Sequence, residues 1–149
     1  MLHAGDEAPD FALESDEGET VTLSALRGRP VVFYFYPKDD TPGCTTQACS
    51  LRDGYGAIQA SGAALYGISP DDSESHRAFR EKYGLPFPLL VDTGHRVAEI
   101  YGAWTTRADG REGILRSSFV VGADGRLLSA SYGVKPEDTT PEALAALSA

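Results

Sequence analysis

The chain holds two cysteines, Cys44 and Cys49, five positions apart. A cysteine reacts as a thiolate, and a thiolate needs a local positive field. Cys44 follows Thr41-Pro42-Gly43, where a loop gives way to a helical segment. The first turn of a helix offers unpaired N–H groups and about half a positive charge. That position favours the thiolate and can hold an incoming oxygen atom. Pro42 suits such a loop because it fixes a turn and excludes water, and Gly43 because it lets an amide approach a ligand closely. A buried cysteine is also a common small apolar filler. The residues alone leave these two readings about even.

The spacing to Cys49 constrains any partnership. On an intact helix, residues five apart lie roughly 8.5 Å apart between Cα atoms, whereas bridged cysteines need about 4.4–6.8 Å. The pair can join only if the first turns unwind, and the spacing alone favours Cys49 as a packing residue. A zinc module is not expected, because His3, His76 and His95 are not spaced with the cysteines as ligand pairs. Dithiol exchange of the C-x-x-C kind is disfavoured by the four intervening residues. A non-catalytic sensor that reports oxidation by unfolding its helix would use the same cysteines and stays open.

The surrounding elements explain how Cys44 could be positioned. Residues 31–36 are apolar on both faces and bounded by Pro30 and Pro37, the pattern of a central strand buried on both sides. A helix is expected from about Cys44 to Ala60, weakened at Gly54 and Gly56 by roughly 1 kcal/mol each. Further strands are expected at residues 11–13, 20–23, 63–69, 87–91, 114–121 and 126–132, the last two flanking the turn Ala123-Asp124-Gly125. Asp71 with Glu74 suits a capping box for a helix running to Tyr83 and closed by Gly84. A short helix is expected at 97–101, and a final helix capped by Thr140 with Pro141 at its first position. This order predicts one α/β domain over residues 1–149, with a mixed central β-sheet flanked by helices. His76 is expected on an exposed helix face, residues 14–19 as a solvated turn, and Trp104, Tyr101 and Phe87 as core or pocket wall.

Composition bounds the partners. The 149 residues carry a formal net charge of -9, which argues against nucleic acid or an anionic membrane. No apolar run is long enough to span a bilayer, and Met1-Leu2-His3-Ala4-Gly5-Asp6-Glu7 has neither the basic start nor the apolar stretch of a signal peptide. A cytoplasmic location is expected.

The run from Pro37 to Cys44 resembles the peroxiredoxin signature Pro-x-x-x-Thr-x-x-Cys, and the longer run from Tyr34 to Cys49 resembles the peroxiredoxin Q, or bacterioferritin comigratory protein, subgroup. Gly5-Asp6-Glu7-Ala8-Pro9-Asp10-Phe11, Gly67-Ile68-Ser69-Pro70 and Arg116-Ser117-Ser118-Phe119 extend the likeness over nearly the whole chain. The resemblance implies a thioredoxin-like fold and a peroxidase without metal, haem or flavin. It implies that Cys44 attacks the peroxide, that Thr41 hydrogen-bonds the thiolate and that Arg116 polarises the peroxide. Pro37, Pro42 and Gly43 would then shape the substrate pocket. Cys49 would resolve the oxidised Cys44 as an intramolecular disulfide, recycled by thioredoxin or a similar dithiol. The substrates would be hydrogen peroxide and organic hydroperoxides, and the protein a monomer or weak dimer. Gln47 stands where the subgroup usually has Glu, which bears on how Arg116 is supported.

Overall fold

A computed structural model describes residues 1–148. Its strands are β1 (Ala12–Ser15), β2 (Thr20–Thr22), β3 (Val31–Phe35), β4 (Ala64–Ser69), β5 (Leu89–Val91), β6 (Trp104–Thr106), β7 (Glu112–Ile114), β8 (Ser117–Val121) and β9 (Leu127–Tyr132). The helices are α1 (Pro42–Asp53), α2 (Tyr55–Ala60), α3 (Ser73–Tyr83), α4 (Arg96–Ile100) and α5 (Thr139–Ser148). Seven strands form one mixed sheet in the order β2-β1-β5-β4-β3-β8-β9, and β6 and β7 form a separate hairpin. Strand β3 is parallel to β4 and antiparallel to β8.

The alternation along β3 divides the core. Val31, Phe33 and Phe35 face one side with Phe11, Tyr101 and Phe119, where the rings meet largely edge to face at centroid distances such as 5.2 Å for Phe33–Tyr101. Val32, Tyr34 and Tyr36 face the other side with Cys44, Ala48, Leu51, Ile58, Phe79 and Ala143. Helices therefore cover both faces, and all of β3 is buried, as its unbroken apolar run implies.

Several expected boundaries moved. The helix expected over 44–60 starts at Pro42 and breaks at Gly54, where an added Cβ would lie 2.6 Å from Thr140 Cγ2 on α5. The strand expected over 114–121 is two strands, β7 and β8, separated at Leu115 and Arg116. Asp72, not Asp71, caps α3, accepting from Ser75 N at 2.9 Å. Strand β2 ends at Thr22, before a 3-10 turn over Leu23–Leu26. Helix α5 begins at Thr139, so Pro141 falls beyond its first position. The acidic segment is not simply solvated: Asp16 is buried, accepting from Arg80 Nη1 at 3.0 Å and from Leu89 N at 3.1 Å. Trp104 is half-buried and stacks on His95, with ring centroids 3.7 Å apart. Among the described residues no helix is long and apolar enough to cross a membrane.

Candidate active site

Sheet register brings two distant stretches to one edge. Phe35, at the end of β3, pairs with Ser117, at the start of antiparallel β8. The loop of residues 37–41 therefore departs from β3 where Arg116 arrives. Helix α1 follows that loop, with Thr41 as its N-cap and Pro42 in its first turn. Pro42 has no N–H to satisfy, and no side chain caps the helix. Along α1, Cys44, Gln47, Ala48 and Leu51 are the buried positions. They recur at i, i+3, i+4 and i+7, the face of a helix turned to a core. Cys44 is thereby buried, within the first turn of α1, where a helix has amides without intrahelical partners.

Arg116 completes this arrangement. Its Nη2 donates to Cys44 Sγ at 3.4 Å, and its Nη1 donates to Gln47 Oε1 at 2.6 Å. A guanidinium can only donate, so the amide oxygen of Gln47 must face it. Gln47 Nε2 in turn donates to Thr139 Oγ1 at 2.8 Å. Gln47 thus orients Arg116 as a carboxylate would, without neutralising its charge. An added Cβ on Gly43 would stand 3.0 Å from Arg116 Nη2 and 3.6 Å from Pro136 Cγ, so glycine leaves room for the guanidinium.

The other expected site residues are less closely assembled. Thr41 Oγ1 donates to Lys38 O at 2.8 Å, within its own loop, and not to the sulfur. Pro37 is half-buried and Pro42 exposed. Cys49 is half-buried on the same unbroken helix, and both thiols are free.

A polar network supports the loop from behind. Asp39 Oδ1 accepts from Tyr36 Oη at 2.5 Å, and Oδ2 from Ser75 Oγ at 2.8 Å. His76 Nδ1 lies 2.7 Å from the same Oδ2, and its Nε2 lies 2.8 Å from Leu90 O. His76 is fully buried, contrary to the exposed position expected for it. Asp71 Oδ2 accepts from Asp39 N at 2.8 Å and Ser69 Oγ at 2.7 Å. Asp39, Asp71 and His76 gather within 4.8 Å, but protein donors already occupy them, which makes a closed hydrogen-bond network rather than a ligand set. Burial first, and then the Asp39 charge, holds the Tyr36 phenol well above its usual titration range. Tyr34 is also held up, by burial first and then by Cys44, and its buried hydroxyl has no hydrogen-bond partner among the described residues.

Asp39 and His76 were not expected from sequence as part of the site, yet a signal existed. His76, Phe79 and Tyr83 recur at i, i+3 and i+7, which puts the histidine on the helix face that Phe79 buries.

Residues 4–130 match the AhpC/TSA family. The chain is 46% identical over 149 residues to peroxiredoxin Bcp of Bacillus subtilis, covering 98% of this chain and 95% of that protein. Among solved structures it is similar to the bacterioferritin comigratory protein of Xanthomonas campestris, described for alkyl peroxide reduction, with a TM-score of 0.88, 33% identity and coverage of 93% and 90% of the two chains. Peroxidoxin BcpB of Mycobacterium tuberculosis superimposes with a TM-score of 0.90 at 32% identity, covering 99% and 97%.

Proposed function

The chain belongs to the AhpC/TSA family, among the peroxiredoxins called Bcp and Q, and on that footing we propose that Cys44 is its peroxide-reacting thiol. It is a thiol peroxidase with a thioredoxin-like fold. The observation that carries the residue assignment is the Arg116 guanidinium, which touches Cys44 Sγ with one nitrogen and is fixed by Gln47 through another.

That geometry supports a two-step peroxidase cycle. The Cys44 thiolate attacks one oxygen of a hydroperoxide and the O–O bond breaks. The sulfur becomes a sulfenic acid and the other oxygen leaves as water or an alcohol. Charge develops on both oxygens as the bond stretches, and Arg116 with the first-turn amides of α1 stabilises it. Gly43 admits the guanidinium, while Pro37, Pro42 and Thr41 shape the approach. Cys49 then condenses with the sulfenic acid, releasing water and forming an intramolecular disulfide. A dithiol of the thioredoxin kind restores both thiols by exchange. Hydrogen peroxide and organic hydroperoxides are the substrates in this reading. Residues 1–149 act as one domain, a monomer or weak dimer in the cytoplasm, and the acidic chain engages neither nucleic acid nor membrane.

Peroxide turnover with one defined thioredoxin system tests the assignment, comparing wild type with Cys49→Ser. Wild type should turn over repeatedly, whereas Cys49→Ser should consume one equivalent and stall. Continued turnover by Cys49→Ser would remove Cys49 from the cycle.

A further inference from the structure

The loop that presents Cys44 is held from helix α3 at two places. At one, Ser75 Oγ and His76 Nδ1 both meet Asp39 Oδ2, at 2.8 and 2.7 Å. At the other, Lys82 Nζ and Tyr83 Oη donate to the two oxygens of Asp40, each at 2.7 Å. Asp40 adopts a φ of 58°, a left-handed conformation that a residue with a Cβ rarely keeps without restraint. The loop therefore depends on α3 to keep its shape. From it the chain passes directly into Thr41, Pro42 and the first turn bearing Cys44.

We propose that His76 is a positioning residue for the peroxide reaction: by holding Asp39 from behind, it fixes residues 37–41 and so sets the first turn of α1 against Arg116. The inference rests on Cys44 being the peroxide-reacting thiol.

The argument turns on which atoms carry protons. Leu90 O can only accept, so His76 Nε2 must carry a hydrogen. Nδ1 faces a carboxylate, which also only accepts when ionised. Both contacts are satisfied together by an imidazolium opposite a carboxylate. Removing that proton would turn an Nδ1 lone pair on the Asp39 oxygen inside a site closed to water, where a lone charge is costly. Burial alone would push the His76 pKa down, but the Asp39 hydrogen bond and charge, the Leu90 carbonyl and the Asp71 charge together raise it above the ordinary histidine value. Asp39 and Tyr36 face it from the β3 side and Asp71 from the segment before α3, while β5 supplies only the Leu90 carbonyl. Tyr36 remains a neutral phenol.

The sign follows from linkage. A histidine whose folded pKa is raised holds its partner fully below its unfolded pKa, and loses that hold as pH rises through the folded value. Cys44 should accordingly react with peroxide less well as pH rises through the His76 titration.

The test is single-turnover oxidation of Cys44 by hydrogen peroxide across pH, in a Cys49→Ser background, with His76, His76→Leu and His76→Asn compared and iodoacetamide alkylation run alongside. The Asn amide can replace the Nδ1–H donor but does not titrate. His76→Leu should slow the reaction on the order of 10- to 100-fold, the cost of a displaced reacting group. His76→Asn should recover to within a few-fold of the parent and lack its alkaline fall. If His76→Leu does not fold, the His76→Asn profile decides. An alkaline fall that persists unchanged in His76→Asn, or no fall in the parent, overturns the role of His76. A parent protein that alkylates at Cys44 but does not react with peroxide overturns the thiol assignment and this inference with it.

Discussion

Helices α1 and α3 lie on the same face of the sheet but are stabilised by different means. Helix α3 is secured by its own residues: Asp72 caps it, Glu74 sits in its first turn, Arg80 and Lys82 in its last, and Gly84 closes it at a φ of 62°. Each of these complements the free groups or the dipole of a helix. Helix α1 has Arg52 in its last turn but no side-chain cap and no acidic residue in its first, and it ends at Gly54 without a left-handed cap. What fixes α1 comes from elsewhere, through Arg116 on Gln47, Gln47 on Thr139, and Ser50 Oγ 2.9 Å from Thr140 Oγ1. A helix held mainly by distant side chains can be released locally without unfolding the domain. A helix secured by its own caps can stay in place while its neighbour moves.

The most severe test of this contrast is at the sulfur. Cys44→Ser should abolish peroxide turnover, because serine is scarcely ionised at neutral pH, and appreciable residual activity would show that Cys44 does not carry the reaction. Arg116→Ala should cost on the order of 100-fold or more in rate, as losing one well-placed donor does. A loss of only a few-fold would mean that α1 is fixed and activated otherwise. Oxidation should next separate the two helices in amide hydrogen exchange. The segment around residues 41–55 should lose protection as a Cys44–Cys49 disulfide forms, and α3 should not. Equal loss in both, or a linkage between two chains, would end the local-release account. The smallest effects form a pair. Ser50→Ala and Asp72→Ala should each destabilise the protein by about 1 kcal/mol in urea unfolding. Only Ser50→Ala should also hasten disulfide formation.

The sheet was largely legible because β3 is apolar on both faces and its neighbours are short apolar runs bounded by Gly or Pro. The hairpin of β6 and β7 was missed although Ala108-Asp109-Gly110 repeats the kind of turn that announced β8 and β9. Missing it placed Arg116 inside a strand, where its reach to Cys44 could not be argued from pattern. The loop and helix start left Cys44 evenly poised between a reactive thiol and a packing residue until the family resemblance favoured the thiol, whereas Arg116 needed that resemblance outright, since nine other arginines compete. The hydroxyl of Thr41, expected on the sulfur, turns instead to Lys38 O because that carbonyl lies within its own loop. The His76–Asp39 contact joins residues 37 positions apart, a juxtaposition that only the packing of α3 against the loop creates.

The bonds around Cys44 also set an order of assembly. Arg116 lies 72 positions after Cys44, and Thr139 lies 92 after Gln47. Synthesis delivers the chain from its amino end, so a nascent chain that has emerged through α1 carries the thiol without its arginine. One that has emerged through β8 still lacks the hydroxyls of Thr139 and Thr140. On the proposed roles of Cys44 and Arg116, the thiol is therefore made early and activated late, once β8 has emerged behind it.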